Sequence, residues 1–369
     1  MLLDHDHETG RRPPAIEGPV ERRSSRGSGR RWPRARIVAE ILIGAVLIGF
    51  AWFERGTIER SVTFVHRADW KWLVVAGSLE FGSLMAFART QRIILRATGV
   101  RIRRASMVAT TFAGNAISVS LPLIGPGAGT AFTFGRFRRV ADDAASAGWA
   151  LVISGLISSL VWGVMLATGV AVSGGHAATV GGVIGGAAIL VVAIVGAVSL
   201  RLPHVRQVTA SEVLRLVQLA KRLMRLPAGN PDDPISSGLN RLLTGRMSLG
   251  RWTQVVGLSI VNWLASVGCL AAAILAVGAG IPWTKLLLIY CAGATASSFN
   301  LTPGGLGVVE GVLTAELVAA GMRSDVALGS VLIFRLVSFW LVMLAGWIIY
   351  WMLRRATRHG ATGASSYRR

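Results

Sequence analysis

Long apolar runs dominate this 369-residue chain and restrict the folds that are open to it. A helix needs about 20 mostly apolar residues to cross the roughly 30 Å hydrocarbon core of a bilayer. Hydrophobic residues make up 52% of the chain and charged residues only 15%, whereas soluble domains carry about 25% charged residues. The composition therefore predicts an all-α, polytopic integral membrane protein and argues against a soluble enzyme or a disordered chain.

The runs define a predicted domain organisation of one membrane domain, residues 36–355, between two tails. Residues 1–35 are polar and rich in arginine and predict a disordered basic cytoplasmic tail, and residues 356–369 predict a second tail. Two further apolar stretches, 105–134 and 286–320, are interrupted by Pro and Gly. Six runs predict full spans, near residues 37–53, 72–88, 147–172, 178–200, 252–277 and 327–353.

The distribution of Lys and Arg predicts the orientation of these spans. The formal net charge is +21, and 32 of the 39 basic residues fall in five segments that border the apolar runs. Cytoplasmic loops carry an excess of Lys and Arg. We therefore expect a multi-pass protein of the cell (inner) membrane with both termini in the cytoplasm. The five segments are residues 1–36, 89–104, 136–143, 201–251 and 354–369.

This orientation predicts that the two interrupted stretches are re-entrant helical hairpins. Segments 89–104 and 136–143 are both basic, so 105–134 should enter from the cytoplasm and return, and by the same reasoning 286–320 should enter from outside. An inverted pair of broken helices points to a transport site near the bilayer midplane. Two alternatives stay open: that 136–143 lies outside, and that both stretches are only loops between short helices.

Each hairpin places an Asn before a Pro and clustered glycines, which makes these residues candidates for substrate binding. Backbone amides left open by glycines at a helix start form an anion site, and a lipid phosphate is the obvious anion in a bilayer. The first hairpin contributes Asn115, Pro122, Gly125, Gly127 and Gly129. The second contributes Asn300, Pro303, Gly304, Gly305, Gly307 and Glu310.

Arg335 lies nine residues into the last predicted span, where a charge needs a physical explanation. Its guanidinium can hold a phosphate in a bidentate fork, or pair with Glu310 or Glu316. The carboxylate of Glu310 has two possible explanations. It is stabilised by the dipole of the helix whose first turn contains it, or it takes part in substrate or proton coupling. Glu80, central in the second span, is either pore-facing or structural.

Other features exclude several kinds of site. The sequence has no phosphate-binding loop, no Gly-x-Ser-x-Gly and no His-Glu-x-x-His motif. Cys269 and Cys291 lie in apolar runs without metal-ligand spacing. We expect no metal, no cofactor and no nucleic-acid partner. In the cytoplasmic loop 201–251, Val213–Leu226 predicts an amphipathic helix, which packs either on the anionic inner leaflet or on the protein itself.

The second hairpin, Asn300-Leu-Thr-Pro303-Gly-Gly-Leu-Gly307-Val-Val-Glu310-Gly, followed by a span with a central Arg335, resembles the lysylphosphatidylglycerol synthase transmembrane-region family. That family comprises the flippase-type membrane part of the multiple peptide resistance factor and stand-alone relatives, and the first hairpin is similar to the actinobacterial version. The resemblance implies spanning helices and two re-entrant hairpins around a lipid-sized cavity. It also implies that Pro303, Gly304, Gly305, Gly307, Glu310 and Arg335 belong to the site.

The functional prediction is a flippase that moves an anionic or phosphate-bearing (glyco)lipid between leaflets, and not an enzyme. The expected ligand is an anionic phospholipid or a polyprenyl-phosphate-linked glycolipid. A homo-oligomer or a lipid-synthesis enzyme is a further expected partner. Two alternatives stay open: a membrane-embedded transferase acting on a lipid carrier, and a non-catalytic partner of an envelope-synthesis complex. Pro126 and Gly127 depart from the usual family pattern, which leaves the lipid unassigned.

Overall fold

The computed structural model of the chain describes residues 68–140, 144–174, 180, 182–186, 247–299 and 302–363. Several predictions concern residues outside these ranges. They are the span near 37–53, the tail 1–35, the segment Val213–Leu226, Asn300 and most of the predicted span 178–200.

Every regular element in the described ranges is a helix, and these ranges contain no strand. A 3₁₀ turn, Pro303–Gly305, precedes α7, and a π-helix, Leu336–Leu341, joins α8 to α9. The α-helices are α1 Trp70–Ala97, α2 Arg104–Ser120, α3 Gly125–Arg138, α4 Ala144–Val172, α5 Leu249–Ala276, α6 Trp283–Ser298, α7 Val308–Ala319, α8 Ser324–Arg335 and α9 Val342–Gly363.

Four of these helical segments are long and apolar enough to cross a membrane: Trp70–Ala97, Ser146–Val172, Leu249–Ala276 and Ser324–Arg355. The last one runs through α8, the π-helix and α9 without a break. Large apolar side chains on these helices face outward, among them Phe81, Val152 and Ile348. An exterior of this kind is stable in lipid, and the prediction of an all-α membrane protein is confirmed for the described residues.

Helices α1 and α5 form an antiparallel pair at the centre of the fold. Asp69 donates its N–H to the carbonyl of Ala276 (2.9 Å), so α1 begins where α5 ends. Halfway along the pair, the Ser83 hydroxyl donates to Oδ1 of Asn262 (3.0 Å) and lies 2.9 Å from the Ser266 hydroxyl. Asn262 therefore makes the interhelical hydrogen bond that polar residues commonly make between membrane helices.

The two ends of this pair differ in their chemistry. At one end, exposed Trp70 begins α1, and exposed Trp283 begins α6 soon after α5 ends. We call this the tryptophan end, because Trp is enriched where membrane helices meet water. The other, called the basic end, carries the arginines at the end of α1 and the start of α2, where Arg92 Nε donates to the carbonyl of Ile102 (3.0 Å).

The stretch predicted near 105–134 is a helical hairpin, α2 and α3, whose two arms touch closely. Gly125 lies against the backbone of Ser118, and Gly129 against Gly114, so a Cβ at either glycine would collide with α2. The arms are therefore antiparallel, and both the start of α2 and the end of α3 lie at the basic end. At 1.5 Å per residue, arms of 17 and 14 residues reach about 26 and 21 Å.

The stretch predicted near 286–320 is a second antiparallel hairpin, α6 and α7. Gly293 of α6 lies against Leu313 of α7, and Gly305 lies against Ser297 near the tip. Because α6 begins at the tryptophan end, this hairpin opens at the end opposite to the first. Its arms have 16 and 12 residues and reach about 24 and 18 Å, each less than the roughly 30 Å of hydrocarbon.

The tips of the two hairpins meet inside the helical bundle. Leu306, Phe339 and Met343 form a small buried cluster against which Val119, near the end of α2, packs. Next to it, the indole N–H of Trp347 on α9 donates to the Ser120 hydroxyl (2.9 Å). The last spanning helix thus contacts the tips of both hairpins.

The positions of the hairpin ends can be tested with single cysteines. We expect Arg104→Cys and Arg138→Cys to react with a membrane-impermeant maleimide from one side of the membrane, and Lys285→Cys and Gly321→Cys from the other. The native Cys269 and Cys291 are buried and give little background. Labelling of residues 104 and 138 from opposite sides would contradict the described arrangement of α2 and α3.

Candidate functional site

An ion pair between Arg335 and Glu310 joins the last spanning helix to the second hairpin. Nε of Arg335 lies 2.7 Å from Oε1 of Glu310, and each residue is 8% exposed. The guanidinium also donates from Nη2 to the carbonyl of Gly304 (2.6 Å). Of the two partners that the sequence left open, the structure selects Glu310, and Glu316 makes no ion pair within the described ranges.

The glycines of the second hairpin bring this carbonyl to the guanidinium. Gly304 has φ +60°, and a Cβ there would collide with the ring of Phe339. Gly305 and Gly307 also have positive φ, at +69° and +84°, a region that residues with a Cβ rarely occupy. The turn after Pro303 therefore requires glycine for its backbone conformation, whether or not these residues also contact a ligand.

Three of the four amides from Gly304 to Gly307 are not open, which corrects the expectation of a ready anion site there. Gly305 and Leu306 donate their N–H groups to carbonyls within the turn (3.0 and 3.2 Å). Gly307 donates to Oε2 of Glu310 (2.6 Å). These three amides are available to an anion only after their internal partners are released, so the first turn of α7 is capped by its own carboxylate.

An aromatic ring covers the guanidinium. Cζ of Arg335 lies 4.7 Å from the ring centroid of Phe339, a distance at which a cation is attracted to the face of the ring. Phe339 belongs to the π-helix that begins directly after Arg335. One π-helical turn shifts the following side chains around the helix, and here the Phe339 ring lies against both the guanidinium and Gly304.

The pair lies at the wall of a cavity of about 850 Å³, within the size range of small-molecule sites. The wall is formed by residues of α1, α2, α4, α5, α6, α7, α8 and the π-helix. The cavity therefore lies between the spans and both hairpins. Its lining residues are Glu80, Leu84, Asn115, Val119, Leu156, Ser158, Ser159, Leu160, Trp162, Gly163, Trp263, Ser266, Tyr290, Gly293, Ala294, Ser297, Ser298, Val309, Leu313, Phe334, Arg335 and Ser338.

Glu80 is the second acidic residue near the cavity. It lies on α1, at the level of the hydrogen-bonded Ser83, Asn262 and Ser266, and its side chain neighbours the Ser266 hydroxyl and the Cys269 thiol. Its Oε2 is enclosed and has no hydrogen-bond partner among the residues that the structure describes. Glu80 is among the residues that line the cavity, and its enclosed carboxyl beside Ser266 and Cys269 fits a structural role as well, so both readings stay open.

The structure brings some of the predicted site residues together and separates others. Asn115 and Arg335 line the cavity. Glu310 and the carbonyl of Gly304 accept the hydrogen bonds of Arg335. Pro122, Gly125, Gly127 and Gly129 of the first tip are not among the residues that line it. Gly125 and Gly129 instead permit the close contact of α2 and α3, and a Cβ at Gly127 would meet open space.

Sequence reasoning missed the serines of the cavity wall. Ser158 and Ser159 lie on α4, Ser297 and Ser298 on α6, and Ser338 in the π-helix. Single serines in apolar helices usually bond to their own backbone, and nothing in their spacing distinguishes those that face a cavity. Only the packing of several helices shows that these side chains share one wall.

The ion pair can be tested by a double-mutant cycle on protein in detergent. We expect Glu310→Leu or Arg335→Met alone to lower the free energy of unfolding by about 3–5 kcal/mol, because each leaves a buried charge unpaired. The double variant should lose clearly less than the sum of the two. Strictly additive losses in chemical unfolding would contradict a direct pair.

The glycine turn can be tested with a matched pair of variants. Gly304→Ala should lower the free energy of unfolding by at least about 1–2 kcal/mol, because it adds strain at positive φ and a collision with Phe339. Gly311→Ala lies in α7, where a Cβ meets nothing within 4 Å, and should be neutral or slightly stabilising. Equal stability of the two variants in thermal unfolding would refute this role of Gly304.

Comparison with known proteins agrees with the motifs of the second hairpin. An archaeal relative, a UPF0104 membrane protein of Pyrococcus horikoshii, is 22% identical over 324 residues, covering 84% of this chain and 95% of the relative. A UPF0104 membrane protein of Methanothermobacter thermautotrophicus is 32% identical over 82 residues, 22% of this chain and 23% of that protein. The sequence profile of the lysylphosphatidylglycerol synthase TM region matches residues 37–346. The chain therefore belongs to the lysylphosphatidylglycerol synthase transmembrane-region family of membrane proteins.

Proposed function

We propose that the protein translocates a phosphate-bearing lipid between the two leaflets of the membrane. The observation that carries this proposal is the cavity of about 850 Å³ inside helices with an apolar exterior, whose mostly apolar wall includes the polar groups of Arg335, Asn115 and several serines. A polar wall at this depth is unfavourable in lipid unless a polar ligand or water occupies the space. A transporter of lipids needs such a space for the headgroup while the acyl chains stay in hydrocarbon.

Arg335 is suited to contact the phosphate without leaving Glu310. A guanidinium carries five N–H groups, and the two recorded hydrogen bonds use only Nε and one N–H of Nη2. No further hydrogen bond of Arg335 is recorded with the described residues. The remaining N–H groups are therefore the strongest donors in the cavity wall and match a phosphate diester.

The hairpins supply the proposed route. We propose that both are re-entrant, since each begins and ends at one end of the bundle and its arms are shorter than the hydrocarbon core. The basic end then faces the cytoplasm by the positive-inside rule, and the protein lies in the cell membrane with its termini inside. The hairpins would open the cavity to one leaflet each, as in transporters with inverted repeats.

We propose a transporter and not an enzyme. The movement of a lipid between leaflets makes and breaks no covalent bond, and it needs no cofactor. The ligand is an anionic phospholipid or a phosphate-linked glycolipid. The residues proposed to contact it are Arg335 and Asn115 at the cavity wall.

Filling the cavity should stop translocation. Ala294 lines the cavity, whereas Val261 on α5 is 52% exposed on the outer face. In proteoliposomes with fluorescent phosphatidylglycerol, we expect Ala294→Phe to slow movement between leaflets about tenfold or more, because the added ring competes with the ligand for space. Val261→Phe adds a ring to the lipid-facing surface and should keep the wild-type rate.

Two results would contradict the proposal. One is that wild-type protein moves no phosphate-bearing lipid faster than protein-free liposomes do, with phosphatidylglycerol, cardiolipin and a polyprenyl phosphate each tested. The other is that Ala294→Phe, folded as judged by its thermal unfolding, moves lipid as fast as Val261→Phe.

A further inference from the structure

Two acids lie within the helical bundle, Glu310 and Glu80, and they differ in how their charge is compensated. Both oxygens of Glu310 have partners, because Oε1 accepts from Nε of Arg335 (2.7 Å) and Oε2 accepts from the N–H of Gly307 (2.6 Å). Glu80 makes no ion pair with the residues that the structure describes, and none of them donates to its enclosed Oε2. Within the described fold, the charge of Glu80 is therefore left without a counter-charge.

The depth of Glu80 makes this charge unfavourable. Glu80 lies ten residues after Trp70, the first residue of α1, which is about 15 Å along the helix at 1.5 Å per residue. That is roughly halfway across the hydrocarbon core. A carboxylate at such a depth needs a cation or water, or it becomes neutral by binding a proton.

The groups that face Glu80 are neutral. Helix α5 contributes the Ser266 hydroxyl and the Cys269 thiol, and α6 contributes the Tyr290 phenol. These groups can hydrogen-bond to the carboxyl group, but they bring no positive charge that would cancel its own. The cavity-lining residues of α2, α4 and the π-helix include no titratable side chain, and their polar members are Asn115, Ser158, Ser159 and Ser338.

The cation of the cavity wall does not compensate Glu80 either. Arg335 is the one basic residue among those that line the cavity, and its charge is already balanced by Glu310 at 2.7 Å. If Glu80 were ionised, the wall and its ion pair together would carry one net negative charge. If Glu80 holds a proton, they are neutral.

An anionic ligand increases the difference between these two states. A phosphate diester that contacts Arg335 brings a further negative charge into the same cavity, and like charges repel strongly where water is scarce. The ligand therefore binds better when Glu80 is neutral. By linkage the effect is reciprocal, so the bound ligand also favours the proton on Glu80.

We infer that Glu80 is the binding site of a proton that crosses the membrane together with the lipid. This inference rests on the proposed function and adds the ion to which translocation is coupled. The proton leaves Glu80 after the lipid has left and water enters the cavity, because water solvates a carboxylate. One proton and one singly charged lipid carry no net charge, so a pH difference drives the transport and the membrane potential does not.

A pH difference across proteoliposomes that contain a trace of fluorescent phosphatidylglycerol tests the inference. With a difference of about one pH unit, we expect the lipid to become about tenfold enriched in the leaflet on the alkaline side, since one proton accompanies each lipid. The ratio is measured as the fraction of dye that dithionite reaches. It does not depend on the orientation of the protein in the liposomes. A membrane potential imposed with valinomycin should leave the ratio unchanged.

Three variants locate the proton. Glu80→Gln keeps the neutral shape but exchanges no proton, so it should distribute the lipid equally between the leaflets under the same pH difference. Glu80→Asp keeps a carboxyl group and should restore the enrichment. Glu316→Gln makes the same change in an acid of α7 that is not among the cavity-lining residues, and it should keep the enrichment. Thermal unfolding shows whether each variant is folded, and the wild-type measurement tests the coupling without any variant.

The outcomes separate this inference from the proposed function. If wild-type protein moves the lipid but distributes it equally at every pH difference, the proton is wrong and lipid translocation stands. If phosphatidylglycerol, cardiolipin and polyprenyl phosphate all move no faster than in protein-free liposomes, the proposed function itself fails. Enrichment driven by a sodium gradient at equal pH, and not by the pH difference, would assign a sodium ion in place of the proton. Full enrichment retained in Glu80→Gln would remove Glu80 as the site.

Discussion

The buried pair of Arg335 and Glu310 is the constraint around which the rest of the structure is arranged. A guanidinium in hydrocarbon needs a counter-charge and acceptors for its N–H groups, and here both come from the second hairpin. The carbonyl of Gly304 reaches the guanidinium only because the turn adopts positive φ, and Phe339 covers it only because a π-helix follows directly. Four sequence features, the glycine turn, Glu310, Arg335 and Phe339, therefore serve one contact.

The fold was largely predictable from the sequence, and the reason is physical. Four of the six apolar runs that predict spans coincide with Trp70–Ala97, Ser146–Val172, Leu249–Ala276 and Ser324–Arg355, because a bilayer requires long apolar helices. The interruptions at Pro122 and Pro303 fall in the turns between helices, because proline and glycine end helices in a membrane as they do in water. Helix lengths were less accurate: α1 continues to Ala97, since arginines at a helix end can reach the interface.

The site was only partly predictable. A lone charge in an apolar run is visible in the sequence, which is why Arg335, Glu310 and Glu80 were all identified as candidates. Which acid pairs with Arg335 depends on how α7 packs against α8, and the pattern of residues does not contain that information. Likewise, the glycines near Pro303 predict an open anion site. In the structure the amide of Gly305 bonds within the turn and the amide of Gly307 bonds to Glu310. A glycine in the sequence indicates an unusual backbone conformation, but it does not indicate which group its amide contacts.

Hairpins whose two ends lie at the same end of the bundle have a mechanical consequence. A tilt of the first hairpin would leave its arginines at the basic end and change the depth only of its uncharged tip, whereas the tip of the second hairpin carries Glu310 and is tied to Arg335 by the ion pair. The tips meet where Val119 packs on the cluster of Leu306, Phe339 and Met343, and Trp347 of α9 packs on the same cluster and bonds to Ser120. Because the last helix packs on both tips, we expect that neither tip can change its depth without repacking against α9.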